Sequence, residues 1–189
     1  MTTLAPTLST RYFPRSAAWM RDLLLTFSGV IFVALLAQVR IPLPFTPVPL
    51  TGQTFAVLLV GATLGSKRGA ASLTLYTVLG ALGLPIFAGG AAGMAYLTGP
   101  TLGYLVGFVV AAFAIGRMAE RGLERSLRTS LLPFFIGTLA IYAFGAGWLA
   151  ILLGTEKALA LGVLPFIIGD VIKLVLAALA LPAAWKLVR

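Results

Sequence analysis

The chain has 189 residues, 60% of them hydrophobic and 10% charged, with a net charge of +9 and a mean hydropathy of +1.04, a balance that excludes an ordinary soluble domain and describes an all-α integral membrane protein. It contains neither cysteine nor histidine, which removes thiol nucleophiles, disulfides, most zinc sites and the usual general base near neutrality, so no enzyme is expected. The positive charge is read as anchoring against the cytoplasmic side of a lipid bilayer, not as nucleic-acid binding.

A tail of residues 1–20 precedes the first apolar run. Hydrophobic runs then predict six spans, near Leu23–Val39, Gln53–Leu64, Ala70–Leu84, Thr101–Met118, Leu131–Leu153 and Leu161–Leu187, set against roughly 20 residues per crossing. The second is short and crosses only if it is tilted, buried among other helices, or prolonged by Pro49-Leu50-Thr51-Gly52. Basic residues before the first run are reminiscent of a signal peptide, but Leu35-Leu36-Ala37 lacks the small-x-small cleavage pattern, so a retained helix is expected. Arg11, Arg15, Arg21, Lys67, Arg68, Arg117, Arg121, Arg125, Arg128, Lys186 and Arg189 fall in the tails or the even-numbered connections, against Arg40 and Lys157 in the odd-numbered ones. That asymmetry predicts that both termini are cytoplasmic. Nothing divides residues 21–189, which read as one membrane domain.

Two connections on the opposite, outer side are apolar yet rich in Pro and Gly. Pro42, Pro44, Pro47 and Pro49 deny the 40–51 segment a helix and favour a stiff, extended lid or clamp. Glycines in the 83–93 segment, Gly89 and Gly90 among them, allow tight turns and close backbone approach. The bland alternative for both is a compact apolar turn dipping into the headgroups. Thr98-Gly99-Pro100-Thr101 opens the fourth span, whose unpaired N–H groups attract a carboxylate or carbonyl, and Tyr104 lies one turn inside. Gly103 and Gly107 suit close helix packing. Gln53 enters the second span with two donors and an acceptor that need partners; Tyr76 in the third is an interfacial aromatic or a cavity wall. Asp170 and Lys173 are the strongest feature. Three residues apart, they share one helical face inside an apolar run, where charges are expensive, and so mark a polar internal site.

Four runs together resemble one family. Pro47-Val48-Pro49-Leu50-Thr51-Gly52-Gln53-Thr54, the stretch from Tyr76 to Gly90, Gly99-Pro100-Thr101-Leu102-Gly103-Tyr104-Leu105-Val106-Gly107-Phe108 and Leu164-Pro165-Phe166-Ile167-Ile168-Gly169-Asp170-Val171-Ile172-Lys173 are similar to the signature of BioY, the biotin-binding S components of energy-coupling-factor (ECF) transporters. The resemblance runs from the first span to the last and leaves out only the tail to about Met20. It implies the S-component fold: six transmembrane helices with an apolar Pro/Gly-rich cap on the outer face, where the vitamin binds. It also implies a bacterial or archaeal plasma membrane, a membrane scaffold subunit and two cytoplasmic ATPases as partners, and no cofactor.

Biotin's chemistry matches these residues. Asp170 can accept from a ureido N–H, Lys173 can donate to the ureido carbonyl and neutralise Asp170 in the empty site, and Gln53 can serve either polarity. The rings and chain would lie against Tyr76, Phe87, Tyr104 and the glycine-rich segment with Gly89 and Gly90. For the carboxylate, Arg40 and the helix start at Thr101 are both candidates. In place of the Ala-xxx-Ala docking pattern usual in S components, the first span offers Gly29, Val33 and Ala37. The basic 117–130 loop is either a contact for the energising module or a solvated loop. The rival reading is a secondary transporter or ion-coupled carrier using Asp170 and Lys173, but no second Gly-Asp-x-x-Lys occurs in the first half, as an internal repeat would require.

Overall fold

The computed structural model describes residues 3–14 and 17–188, so Arg15 and Arg189 lie outside the described residues. A short helix α1 (Leu4–Tyr12) comes first, inside the segment read as a tail. Pro6 is tolerated there because it falls in the first turn, where backbone N–H groups have no intrahelical partner. Leu4 and Pro6 are buried where α1 packs on α2 (Ala18–Gln38) and α3 (Gln53–Leu64).

The 21 residues of α2 rise about 31 Å at about 1.5 Å each, enough to cross a hydrocarbon core. Its small residues face inward: Gly29, Val33 and Ala37 are buried, and a Cβ on Gly29 would collide with Ser72 and Leu64. This corrects the docking expectation, since a stripe consumed by packing within the chain cannot also face a scaffold. The proline-rich segment is a hairpin. Strands β1 (Arg40–Ile41) and β2 (Leu50–Thr51) pair antiparallel, with Arg40 opposite Thr51, and the four prolines lie between and beside them, where no ladder N–H is needed.

Only 12 residues long, α3 rises about 18 Å, too short to cross alone. Eight of its residues are buried, so it is the central element of the bundle and not a lipid-facing span. At Gly65, with φ +85°, the chain turns directly into α4 (Ser66–Ala81); a side chain is strained in that conformation, and a Cβ would stand 3.0 Å from Glu120 Oε1. After α5 (Met94–Leu97), helix α6 (Leu102–Ala119) begins one residue later than the expected span. Gly103 and Gly107 let it close on α7 (Leu127–Leu153): a Cβ on Gly107 would lie 3.0 Å from Ile141 Cα.

The expected last span is two elements. Helix α8 (Thr155–Gly162) ends before Pro165, and α9 (Ile167–Val188) starts after it. Leu164 precedes a proline and is disfavoured in helical conformation, which favours the break seen here, although Pro133 and Pro182 are accommodated within α7 and α9. Among the described residues four helices, α2, α6, α7 and α9, are long and apolar enough to cross a membrane.

These elements give the molecule two contrasting ends. One gathers the hairpin, the 82–101 segment, α8 and the start of α9, tied by Thr46 Oγ1 donating to the Leu161 carbonyl at 2.6 Å and Gln38 Nε2 donating to the Phe87 carbonyl at 3.3 Å. The other holds α1, the Gly65 corner, the 117–126 connection and the end of α9. There Glu124 is fully buried and accepts from Trp185 Nε1 at 3.1 Å, and Arg125 lies 4.2 Å over the Trp185 ring.

Candidate functional site

The break before α9 changes where the charged pair sits. Asp170 is in the first turn of α9, beside free backbone N–H groups that favour a carboxylate, and Lys173 is one turn further in. Both are largely shielded, with side chains 8% and 17% exposed. Lys173 Nζ donates to Asp170 Oδ1 at 2.8 Å, to the Thr51 carbonyl at 2.8 Å and to Thr54 Oγ1 at 2.9 Å. Thr54 passes its own hydrogen to Asp170 Oδ1 at 2.9 Å. Tyr142 Oη donates to Oδ2 at 2.6 Å. The pair is thus fixed from three sides: the hairpin strand β2, the start of α3, and α7.

A small cavity of about 50 Å³ opens beside this cluster. Gln53, Thr101, Tyr104, Asp170 and Lys173 all line it, together with the hairpin residues Val48, Pro49 and Leu50 and the aromatic rings of Tyr96, Phe108 and Phe166. It combines a polar floor with apolar walls, the usual chemistry of a small-molecule site. Gln53 is held by its neighbours: Nε2 donates to Tyr76 Oη at 2.9 Å and Oε1 accepts from Thr51 at 3.1 Å. Tyr104 is buried against Gly145 and donates to the Gly162 carbonyl at 2.6 Å.

The remaining expected residues do not line this cavity, and the reasons are steric. Tyr76 is fully buried behind Gln53 and donates onward to the Ile86 carbonyl at 2.9 Å. Phe87 is also fully buried, its ring seated against Gly80 and packed between Tyr76, edge to face at 5.5 Å, and Tyr96, stacked at 4.7 Å. Gly89 and Gly90 form an exposed turn with φ of +71° and +75°; Gly89 lies beneath the Arg40 guanidinium, leaving no room for a Cβ. Arg40 lines an adjoining, wider vestibule with Tyr96, Gly99 and Thr101. Thr101 and Tyr96 border both spaces.

Sequence reasoning missed several residues of the site, among them Thr54, Tyr96, Phe108, Tyr142 and Phe166. Tyr142 carried a readable signal, a phenol in the middle of an otherwise apolar span, where a hydroxyl needs a partner. Thr54 and Tyr96 become informative only once the hairpin and α5 are folded over the cavity. Among the described residues no group of three or more His, Cys, Asp or Glu side chains could hold a metal ion.

The BioY family model matches residues 6–189. The chain belongs to the BioY family. A Pyrococcus horikoshii protein named a probable biotin transporter BioY is 47% identical over 144 residues, 76% of this chain and 85% of its own length. The biotin transporter BioY of Rhizobium etli is 41% identical over 169 residues, 84% of this chain and 90% of its own. A solved structure described as the S-component for biotin from an ECF-type ABC transporter superposes with a TM-score of 0.79 at 28% identity, covering 88% of this chain and 92% of the other. The helical arrangement described above is therefore shared with that S-component structure, and the membrane-spanning character of its apolar helices follows.

Proposed function

We propose that this chain is the biotin-binding and uptake subunit of an ECF-type transporter. The observation that carries the reading is the buried Asp170–Lys173 pair at 2.8 Å on the floor of an aromatic-walled cavity, in a chain of the BioY family. A cyclic urea offers two N–H donors and one carbonyl. Asp170 accepts from a ureido N–H, and Lys173 serves the carbonyl by giving up one of its three present acceptors. Gln53 completes the polar contacts, Tyr104, Tyr96 and Phe108 flank the rings and chain, and Arg40 or the start of α6 at Thr101 receives the carboxylate in the vestibule.

On this reading residues 21–189 are the substrate-binding domain and residues 1–20 a cytoplasmic tail. Six helices cross the plasma membrane, the short α3 being enclosed by its neighbours and α4 packing against α2, α3 and α6. The hairpin, the 82–101 segment and α8 cap the outer face. The end bearing Arg11, Arg68, Arg117 and Arg121 is cytoplasmic, where a scaffold subunit and two ATPases supply the energy. The chain performs no covalent chemistry.

Isothermal titration of purified protein with biotin tests this reading. Saturable one-to-one binding, with desthiobiotin competing through the same ureido ring, is expected. Absence of binding, with proton or ion flux in liposomes instead, overturns the reading.

A further inference from the structure

A second space lies on the far side of the charged cluster, between α7 and α9, walled by Phe135, Thr138, Leu139, Ile167, Val171 and Leu174. Tyr142 and Asp170 border both this groove and the ligand cavity. At this level the wall between the two spaces is thus one hydrogen-bonded pair thick, with Tyr142 Oη to Asp170 Oδ2 at 2.6 Å. The groove faces outward: Phe135, Leu139 and Val171 are 59%, 58% and 54% exposed. Both flanking helices have the length and hydropathy of membrane spans, so the medium around the mouth is hydrocarbon.

We infer that this groove seats an acyl chain of a membrane lipid, and that the chain completes the membrane-side wall of the ligand cavity. The occupant follows from the chemistry of the lining. The surface the groove presents is wholly apolar, which gives a headgroup or an ordered water no partner, so water in the groove would be left without hydrogen bonds, whereas hydrocarbon needs none. The consequence follows from Asp170. A charge-assisted hydrogen bond is strong when its surroundings are dry and weakens as water reaches it. Hydrocarbon in the groove therefore keeps the Tyr142–Asp170 contact dry from behind while the ligand covers it in front. This second part rests on the biotin reading; the lipid seat does not.

The test uses the full chain in nanodiscs of phosphatidylcholine bearing a diazirine in one acyl chain, irradiated and mapped by peptide mass spectrometry. Label at Phe135, Leu139 and Leu174 in excess of that at Leu24, Ile31 and Leu35, which are equally apolar residues of α2, is expected. In Leu139→Trp, whose indole occupies the groove mouth, that excess is lost while the α2 label persists. Equal labelling of the two faces in the wild type overturns the lipid seat, whether or not the variant folds. Biotin affinity should fall on delipidation into detergent and recover on adding lipid back; affinity indifferent to lipid overturns the wall. If no biotin binds in either medium the functional reading fails, and the labelling still decides the seat.

Discussion

Asp170 has four lone-pair positions as a carboxylate, and the protein supplies donors to three: Thr54 and Lys173 on Oδ1, and Tyr142 on Oδ2. The one remaining position is on Oδ2, so Tyr142 decides which way the open acceptor points. Tyr142→Phe removes that donor with almost no change of volume. We expect biotin to bind at least tenfold more weakly, the equivalent of about 1.4 kcal/mol or more, since a hydrogen bond to a charged group contributes about 1.5–3 kcal/mol, by isothermal titration on a variant that still melts cooperatively. Unchanged affinity would remove Tyr142 from the site. At this scale the sequence showed the charges but not their restraints. Asp170, Lys173 and Gln53 stand out because polar groups in an apolar run need partners. Thr54 and Tyr96 are ordinary residues, and their roles depend on the fold. The same blindness placed Phe87 and Tyr76 against the ligand, whereas Gly80 accommodates the Phe87 ring and turns both aromatics into support behind Gln53.

Between elements, the corner joining α3 to α4 is held by a side chain from another helix. Glu120, just past the end of α6, accepts from the Ser66 backbone N–H at 2.8 Å and from Ser66 Oγ at 2.7 Å. Partial burial works against the charge on Glu120, but these hydrogen bonds and Arg117 outweigh it and hold the carboxyl below its ordinary value of 4.5. An acid whose pKa is lower folded than unfolded stabilises the fold above its unfolded value, and loses that contribution as pH falls through the folded one. Thermal stability should therefore carry a Glu120-dependent decline only below about pH 4.5. Glu120→Gln should lower the melting temperature at pH 7 and flatten the acid limb, as followed by scanning fluorimetry; an unchanged acid limb would contradict the role. Helix positions were legible from hydropathy for α2, α6, α7 and α9, whose apolar runs are long enough to cross a membrane. The breaks were less so. The stop at Pro165 was visible, but the apolar residues either side of it joined α8 to α9, and α1 was hidden because nine residues of mixed polarity form a helix only when packing on α3 stabilises them.

Across the whole molecule, charge and site occupy opposite ends. Asp170 and the cavity lie under the hairpin, while Arg11, Arg68, Arg117 and Arg121 border the far end, where Arg68 pairs with Asp22 at 2.7 Å and Arg11 reaches the Val188 carbonyl at 3.0 Å. The proposed orientation makes a direct prediction, helped by a chain without cysteine. Lys157→Cys should react with an impermeant maleimide from outside intact cells, and Lys67→Cys only after permeabilisation; the reverse pattern would invert the topology. The proposed site turns on Asp170 as the acceptor for a ureido N–H. The most direct measurement is the biotin affinity of purified Asp170→Asn, which keeps the shape and replaces the charged acceptor by an amide. Binding should be weaker by about tenfold or more, on the order of 1.4 kcal/mol, in a protein that still melts cooperatively. A folded Asp170→Asn variant that binds biotin as tightly as the wild type would contradict it.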